Sequence, residues 1–275
     1  PEAIEELKAI YGLDKPLYIQ FFSWIYSILQ LDFGISFTSG ERVKEEILSR
    51  IPITLTINIV SMILIFIISL YFGIKSAMKK NSIFDRFTNQ LSLLSFSMPS
   101  FYLALVLVLV FSIKFELFPI AGLHSVPNDG SLNYYLDFAW HLTLPIFIIV
   151  FGGIGSLILY IRALTIEILK SDYIFFARAR GLDNKKILRY YILPNLYPPV
   201  ITLLGLSLPG VIGGSVILET IFSIDGMGLL FYQSALSHDY PVIMGILIIG
   251  AFLTLIGNMF ADLILLKLNP NYNEK

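Results

Sequence analysis

Residues 172–195 read DYIFFARARGLDNKKILRYYILPN. This short segment gathers Arg178, Arg180, Lys185, Lys186 and Arg189 around Gly181. Long runs without a charge flank it, 138–161 before it and 190–218 starting at its end. A basic segment between two such runs is the pattern of a cytoplasmic loop joining membrane spans. The fold therefore turns on how many spans the chain holds, and the function on what this loop does.

Three more uncharged runs occur, at 51–74, 87–113 and 240–261. A hydrocarbon core of about 30 Å takes about 20 apolar residues as a helix. Five spans are predicted, at about 53–75, 90–113, 142–164, 197–219 and 241–266. Composition agrees. The chain is 56% hydrophobic and 14% charged, where soluble domains carry roughly 45–50% and 25%. The formal net charge of −1 supplies no basic field for nucleic acid. With no cysteine, disulfides, thiolate metal sites and a cysteine nucleophile are excluded.

The remaining loops set an orientation. Lys75, Lys79, Lys80 and Arg86 lie between the first two spans, and Arg162 and Lys170 join the basic segment between the third and fourth. Loops 115–141 and 220–239 hold no Lys or Arg. The basic loops are expected in the cytoplasm. The C-terminus, with Lys267 and Lys275, then lies inside, and residues 1–50 lie outside. An outside start needs a carrier, so one further span is expected ahead of Pro1, giving six with both ends cytoplasmic. Within 1–50, EAIEELKAIYGL (2–13) has helical spacing and an acidic first turn. Gln20, Ser23, Ser27 and Gln30 make one polar stripe on a helix otherwise covered by Phe21, Phe22, Trp24, Ile25 and Ile28. Two readings stay open for it: a helix lying in the membrane interface, or one packed on the protein's own outer face.

Motifs of chemistry are absent. No G-x-x-x-x-G-K-[ST] occurs, so the chain binds no nucleotide through a P-loop. H-E-x-x-H and G-x-S-x-G are also missing. His124, His141 and His238 lack metal-ligand spacing. No catalytic, cofactor-binding or metal-ligating residue is predicted. Ion-coupled transporters keep ionisable groups at mid-membrane, and these spans hold none in their interiors. An ion-coupled carrier is thus the weaker alternative. Arg162, Glu219 and Asp262 sit at span ends, and Asn258 precedes Asp262 by one helical turn, a structural polar pair. A third reading, a membrane anchor without a path of its own, is opposed by polar residues that could line one, among them Asn58, Ser61, Ser69, Thr88, Ser92, Ser95, Ser156 and Ser207. Gly210 and Gly214 form a small-residue pair suited to helix packing.

An energy source, if the chain uses one, is then expected from elsewhere, which returns attention to the basic segment. Asp172 suits the cap of a helix over about 173–180. Ala177 and Gly181 share a face and predict a notch for close approach. Phe175 and Phe176 offer apolar knobs inside a basic ring, Leu182 and Asp183 turn the chain, and Pro194 closes the segment. This describes a docking helix for a cytoplasmic partner. The other reading is that the positive residues only fix topology.

The segment resembles the coupling loop of ABC-importer permeases, whose signature is Glu-Ala-Ala, three residues, Gly, nine residues and I-x-L-P. Ala177 stands at the last alanine, Gly181 at the glycine, and Leu193-Pro194 at the end. Phe175 and Phe176 replace the Glu and first Ala, and Tyr191 the Ile. These departures are similar to the dipeptide/oligopeptide/nickel branch, whose form is DY-x-x-x-A-R-A-x-G-L. The likeness extends through LDKPLYIQFFSW (13–24), LDFGISF (31–37), RIPITL (50–55), SMPSFYLAL (97–105), LFPIAGLHS (117–125), HLTLPIF (141–147), ETIFSIDGMG (219–228), HDYPVIMG (238–245) and ADLILLKLNP (261–270).

The resemblance implies an all-α type I ABC importer permease fold in the cell (inner) membrane. Residues 1–50 would form an extracytoplasmic or interfacial segment and 51–275 the permease domain, with its coupling loop at about 165–195. Two related permeases would pair in the lipid bilayer. Two P-loop ATPases would bind beneath and hold the ATP, and an extracytoplasmic binding protein would deliver substrate. The chain itself would be non-catalytic and without cofactor. Asp172, Tyr173, Phe176, Ala177, Arg178, Arg180, Gly181, Leu182 and Pro194 would couple to the ATPase. Glu219, Asp225, Gly226 and Gly228 would lie on the outer face or substrate path. Short peptides are the implied cargo, with nickel or another metal chelate as the alternative.

Overall fold

The computed structural model describes residues 15–211 and 214–268. The expected helix at 2–13 lies outside the described residues. Helices dominate, and the only strand-like pairing among the described residues is a bridge between Ile35 and Arg42. The short helix α1 (Leu17–Leu29) comes first. Three long apolar helices follow along the chain: α2 (Val43–Met78), α5 (Leu132–Leu169) and α11 (Tyr240–Leu268). They contain the first, third and fifth expected spans. Helix α2 starts at Val43 and runs through residue 50 without a break, so the expected boundary there does not divide the backbone.

The other two expected spans are not straight rods. Helices α3 (Ile83–Ser97) and α4 (Ser100–Leu107), the latter continued by a π-helical turn Val108–Lys114, are bent by 99°. The cause is Pro99. It disfavours the α-region for the residue before it, and Met98 is extended at φ −87°, ψ 119°. The expected span at 197–219 breaks as well. Helix α8 (Leu193–Ser207) tightens into a 3-10 turn at Leu208–Val211, and a separate helix α9 (Val216–Ile221) follows. Gly214 stands between them with φ +64°, a left-handed conformation that glycine tolerates and helices exclude. Among the described residues, three helices are long and apolar enough to cross a membrane, or four if the bent pair is one span.

Glycines set the close packing. A Cβ at Gly73 would fall 2.8 Å from Ile161, and one at Gly153 would fall 2.5 Å from Ile65, so α2 and α5 press together at both places. At Gly155 it would fall 2.5 Å from the Ser92 carbonyl oxygen, where α3 meets α5. Ser69, Ser92 and Ser95 are buried in these contacts, and Ser95 donates to the Phe151 carbonyl. Gly210, expected in helix packing, has open space around it.

The core has separate centres. Ile53, Ile57, Leu103, Leu142, Ile148, Leu218 and Phe222 form one. Phe66, Ile74, Ile161, Ile174, Ile187, Ile192 and Leu196 form another. Val43, Ile47, Met227, Leu230 and Val242 form a third at one end of the bundle. Large apolar side chains such as Ile67, Leu109, Phe252 and Leu255 face outward. Contiguous apolar surface on this scale fits lipid contact. None of the α1 residues is buried.

Candidate functional site

The basic segment folds as predicted in outline and differs in detail. Helix α6 spans Asp172–Ala179, one residue earlier than expected, with Ser171 at its N-cap. Asp172 sits in the first turn, where its charge suits the helix dipole. Gly181 ends the helix at φ +79°. Its N–H reaches the Arg178 carbonyl at 2.9 Å, and Leu182 N–H reaches Ala177 O at 3.2 Å. This glycine-terminated end satisfies carbonyls the helix leaves open. Asp183 then caps the short helix α7 (Asn184–Ile187) by accepting from Lys186 N at 2.9 Å. A π-helical turn, Leu188–Ile192, precedes α8 and Pro194. That wider turn sits where a proline ring would crowd the carbonyl four residues back.

The direction of α6 corrects the expected notch. Ala177 is 2% exposed and Ile174 1% exposed. Ile174 packs with Ile74 of α2, Ile161 of α5 and Ile187 of α7, and Ala177 turns the same way. Gly181 has nothing within 4 Å of a Cβ, so backbone conformation explains it, not close approach. The outward surface is Phe175 at 68%, Phe176 at 61% and Tyr173 at 42% exposed, with Arg178 and Arg180 exposed beside them. Phe175 and Phe176 meet edge to face at 5.8 Å. Apolar knobs ringed by guanidinium groups stand on a helix fixed from behind.

A buried ion pair braces that end. Arg162 of α5 donates from Nε to Asp85 Oδ1 at 2.7 Å and from Nη2 to Oδ2 at 2.9 Å. Asp85 also accepts from Ser76 of α2, from Asn81 N at 2.8 Å and from Asn89 Nδ2 at 3.0 Å. Its side chain is 4% exposed. The pair ties α2, α3 and α5 together. Arg162 was visible in the sequence as an isolated cation at a span end; such a group needs a partner, and Asp85 is the acid in the 75–86 loop.

The opposite end carries a second constellation. Glu219 of α9 is buried, so it does not stand on the open surface. Its Oε1 accepts from Ser215 N at 3.2 Å and its Oε2 from Leu229 N at 2.7 Å. The loop to helix α10 (Met227–Leu236) wraps this carboxylate. A Cβ at Gly226 would sit 2.6 Å from Glu219 Cδ, and one at Gly228 would sit 2.8 Å from Val216 N. The glycines of the SIDGMG stretch thus permit the wrap. Asp225 pairs with Arg50 at 2.7 Å, and Met227 N donates to Thr54 Oγ1 at 2.9 Å. Both bonds fasten the loop to α2. Nearby, Asp239 accepts from Ser36 Oγ at 2.6 Å and Thr38 N at 3.1 Å, clamping the 36–38 segment to the start of α11.

Two histidines expected to stand apart meet one carboxylate. His124 Nδ1 lies 3.7 Å and His141 Nδ1 3.4 Å from Asp137. Asn258 and Asp262 lie exposed on α11, one turn apart as expected, and no hydrogen bond joins them among the described residues. Of the candidate path residues, Asn58, Ser61, Ser156 and Ser207 border one hollow between α2, α5 and α8.

Comparisons with known proteins fit this architecture. Residues 65–274 match the family described as "Binding-protein-dependent transport system inner membrane component". The oligopeptide transport system permease protein AppB of Bacillus subtilis is 37% identical over 94% of this chain and 82% of its own length. The peptidoglycan transport system permease protein YejB of Agrobacterium fabrum is 32% identical over 98% and 76%. The metal-staphylopine import system permease protein CntB of Staphylococcus aureus is 31% identical over 100% and 84%. A solved structure of the MetNI methionine ABC transporter in inward-facing conformations matches with a TM-score of 0.62 at 18% identity. It covers 81% of this chain and 96% of that one, and so agrees in fold. The chain belongs to the binding-protein-dependent transport inner-membrane component family. It is a multi-pass membrane permease subunit of an ABC importer.

Proposed function

We propose that this chain forms half of the translocation path of an ATP-driven importer for short peptides. Two P-loop ATPases power it from the cytoplasmic side and an extracytoplasmic binding protein loads it. A second, related permease supplies the other half. The carrying observation is the outward face of α6: Phe175, Phe176, Arg178 and Arg180 project, while Ile174 and Ala177 fix the helix to α2 and α5. Asp172, Tyr173, Gly181, Leu182 and Pro194 shape that loop as coupling residues. In this reading α6 is cytoplasmic, as is the C-terminus, and residues 1–50 are extracytoplasmic. The loop held by Glu219 and carrying Asp225, Gly226 and Gly228 then faces delivered substrate. ATP hydrolysis belongs to the partner subunits, and this chain works without a cofactor. The peptide assignment draws on the B. subtilis relative, and the S. aureus relative sets a metal chelate as the alternative cargo.

The test is a mild-detergent pull-down of the tagged protein from its native membrane, with partners identified by mass spectrometry. Two P-loop ATPases and a second permease are expected with the native chain, and Phe176→Glu is expected to lose the ATPases while keeping the permease. Recovery of the native chain alone would overturn the proposal.

A further inference from the structure

The hollow bordered by α2, α5 and α8 plays no part in docking or in holding the loop. It measures about 590 Å3, inside the roughly 300–1,000 Å3 of small-molecule sites. At about 30 Å3 per water, it has room for about twenty. Its polar lining is neutral: Asn58, Ser61, Ser156, Tyr160 and Ser207. No Lys, Arg, Asp, Glu or His borders it among the described residues. Ser61 is 1% exposed, and its Oγ has no hydrogen-bond partner. The exposed hydroxyls that line it are those of Ser156 and Ser207. Asn58 donates to the Val211 carbonyl at 2.7 Å. That ties α2 to the turn where α8 ends and leaves the amide oxygen as an acceptor.

We propose that this hollow is a substrate-contact site within the membrane path, built for the backbone and side chains of peptides whose side chains carry no charge. The hydroxyls and amide pair with peptide N–H and C=O groups, and Met62, Ile65 and Phe66 meet apolar side chains. A charged side chain would be stranded there without a counter-ion. This inference rests on the import reading above.

The chain has no cysteine, so Ser156→Cys, at an exposed position on the hollow, introduces a single thiol. The complete transporter carrying it is reconstituted in liposomes with its binding protein. Reaction with N-ethylmaleimide is followed by mass on this chain, during import of trialanine, trilysine or triglutamate. Trialanine is expected to slow the reaction at least about fivefold, and the charged peptides to leave it unchanged. Asn58→Leu is expected to weaken the protection by trialanine by about fivefold, the worth of one hydrogen bond, while the thiol reacts as before in the absence of peptide. A thiol that never reacts in the assembled transporter would mean that lipid or the partner permease fills the hollow, and would overturn the proposal. Reaction undiminished while trialanine is imported would place the hollow off the path. Equal protection by trilysine would refute the neutral chemistry. If the native transporter imports none of the peptides but imports a nickel–histidine chelate, the peptide reading fails separately and takes the peptide specificity of the hollow with it. Protection by that chelate would still uphold a contact site, and its absence would refute one.

Discussion

Removing Arg162 tests the brace at the α6 end. In Arg162→Met, Asp85 keeps its bonds from Ser76, Asn81 and Asn89 but loses both guanidinium donors, at 2.7 and 2.9 Å. Stripping one partner from a buried pair costs about 3–5 kcal/mol, because the other charge stays behind. Arg162 is one-fifth exposed and Asp85 retains three donors, so the low end applies, about 3 kcal/mol. For a chain of this size that is a fall in Tm of roughly 6–12 °C. Arg162→Lys keeps the charge and loses the two-pronged geometry, so a smaller fall is expected. The double variant Asp85→Leu with Arg162→Met removes both charges and should recover much of the loss. The assay is intrinsic fluorescence against temperature, with the transporter in lipid nanodiscs. A fall of less than about 1 °C for Arg162→Met would refute the brace. So would a double variant as unstable as the sum of the two singles.

Three further outcomes are expected. Gly228→Ala drives a Cβ toward the backbone nitrogen of Val216, an overpacking worth about 1–3 kcal/mol; limited proteolysis should cut the 219–229 loop faster than in the native chain. Gly181→Ala meets no atom and suffers only the left-handed strain of about 1–2 kcal/mol; faster amide exchange confined to 176–182 is expected, with Gly181→Asn milder. Asp239 supplies a pH dependence. Burial works to raise its pKa, yet the bonds from Ser36, Phe37 and Thr38 outweigh burial and hold it below the usual value. Its contribution is therefore complete above the unfolded carboxyl's pKa of about 3.9 and is lost as pH falls through the lower folded value. Amide exchange at 36–38 should accelerate only below that pH, and Asp239→Asn should remove the acid-dependent step.

Long uncharged runs made α2, α5 and α11 legible, because the bilayer demands both length and apolarity and few other settings do. The bend of 99° at Met98–Pro99 went unread, because the uncharged run 87–113 passes through Pro99 as one span. After α8, Pro209 marks a kink or helix boundary, but it lies with Gly210 and Gly214 in a run as apolar as a true span, so the run still reads as one span. At the candidate site, sequence located the α6 loop and its aromatic and basic residues. It reversed the direction of Ala177, since a small residue at a helix–helix spacing reads the same whether it meets another subunit or is buried within its own chain. Glu219 raised the same difficulty: a carboxylate at a span end looks exposed until the loop that wraps it is folded. The Asp85–Arg162 pair joins residues 77 apart in sequence, a distance over which no periodicity speaks.

Helix α2 carries load at both ends. Arg50 and Thr54 fasten the loop before α10 through Asp225 and Met227, while Ile74 and Ser76 meet α6 and Asp85. Its 36 residues span about 54 Å at 1.5 Å per residue. Gly73 and Gly153 lock it against α5, so these two helices behave as one frame. A continuous frame cannot by itself switch; a transition needs an element with two arrangements. The breaks lie elsewhere, at Met98–Pro99 and between α8 and α9. The hollow lined by Asn58 and Ser61 sits on the seam between the unbroken frame and broken α8. Movement of α8 against α2 and α5 must change that hollow's shape. The same displacement pulls on α7 and, through Ile187 and Ile192, on Ile174 behind the exposed face of α6. In the proposed import reading, substrate contact and partner contact therefore meet at α8.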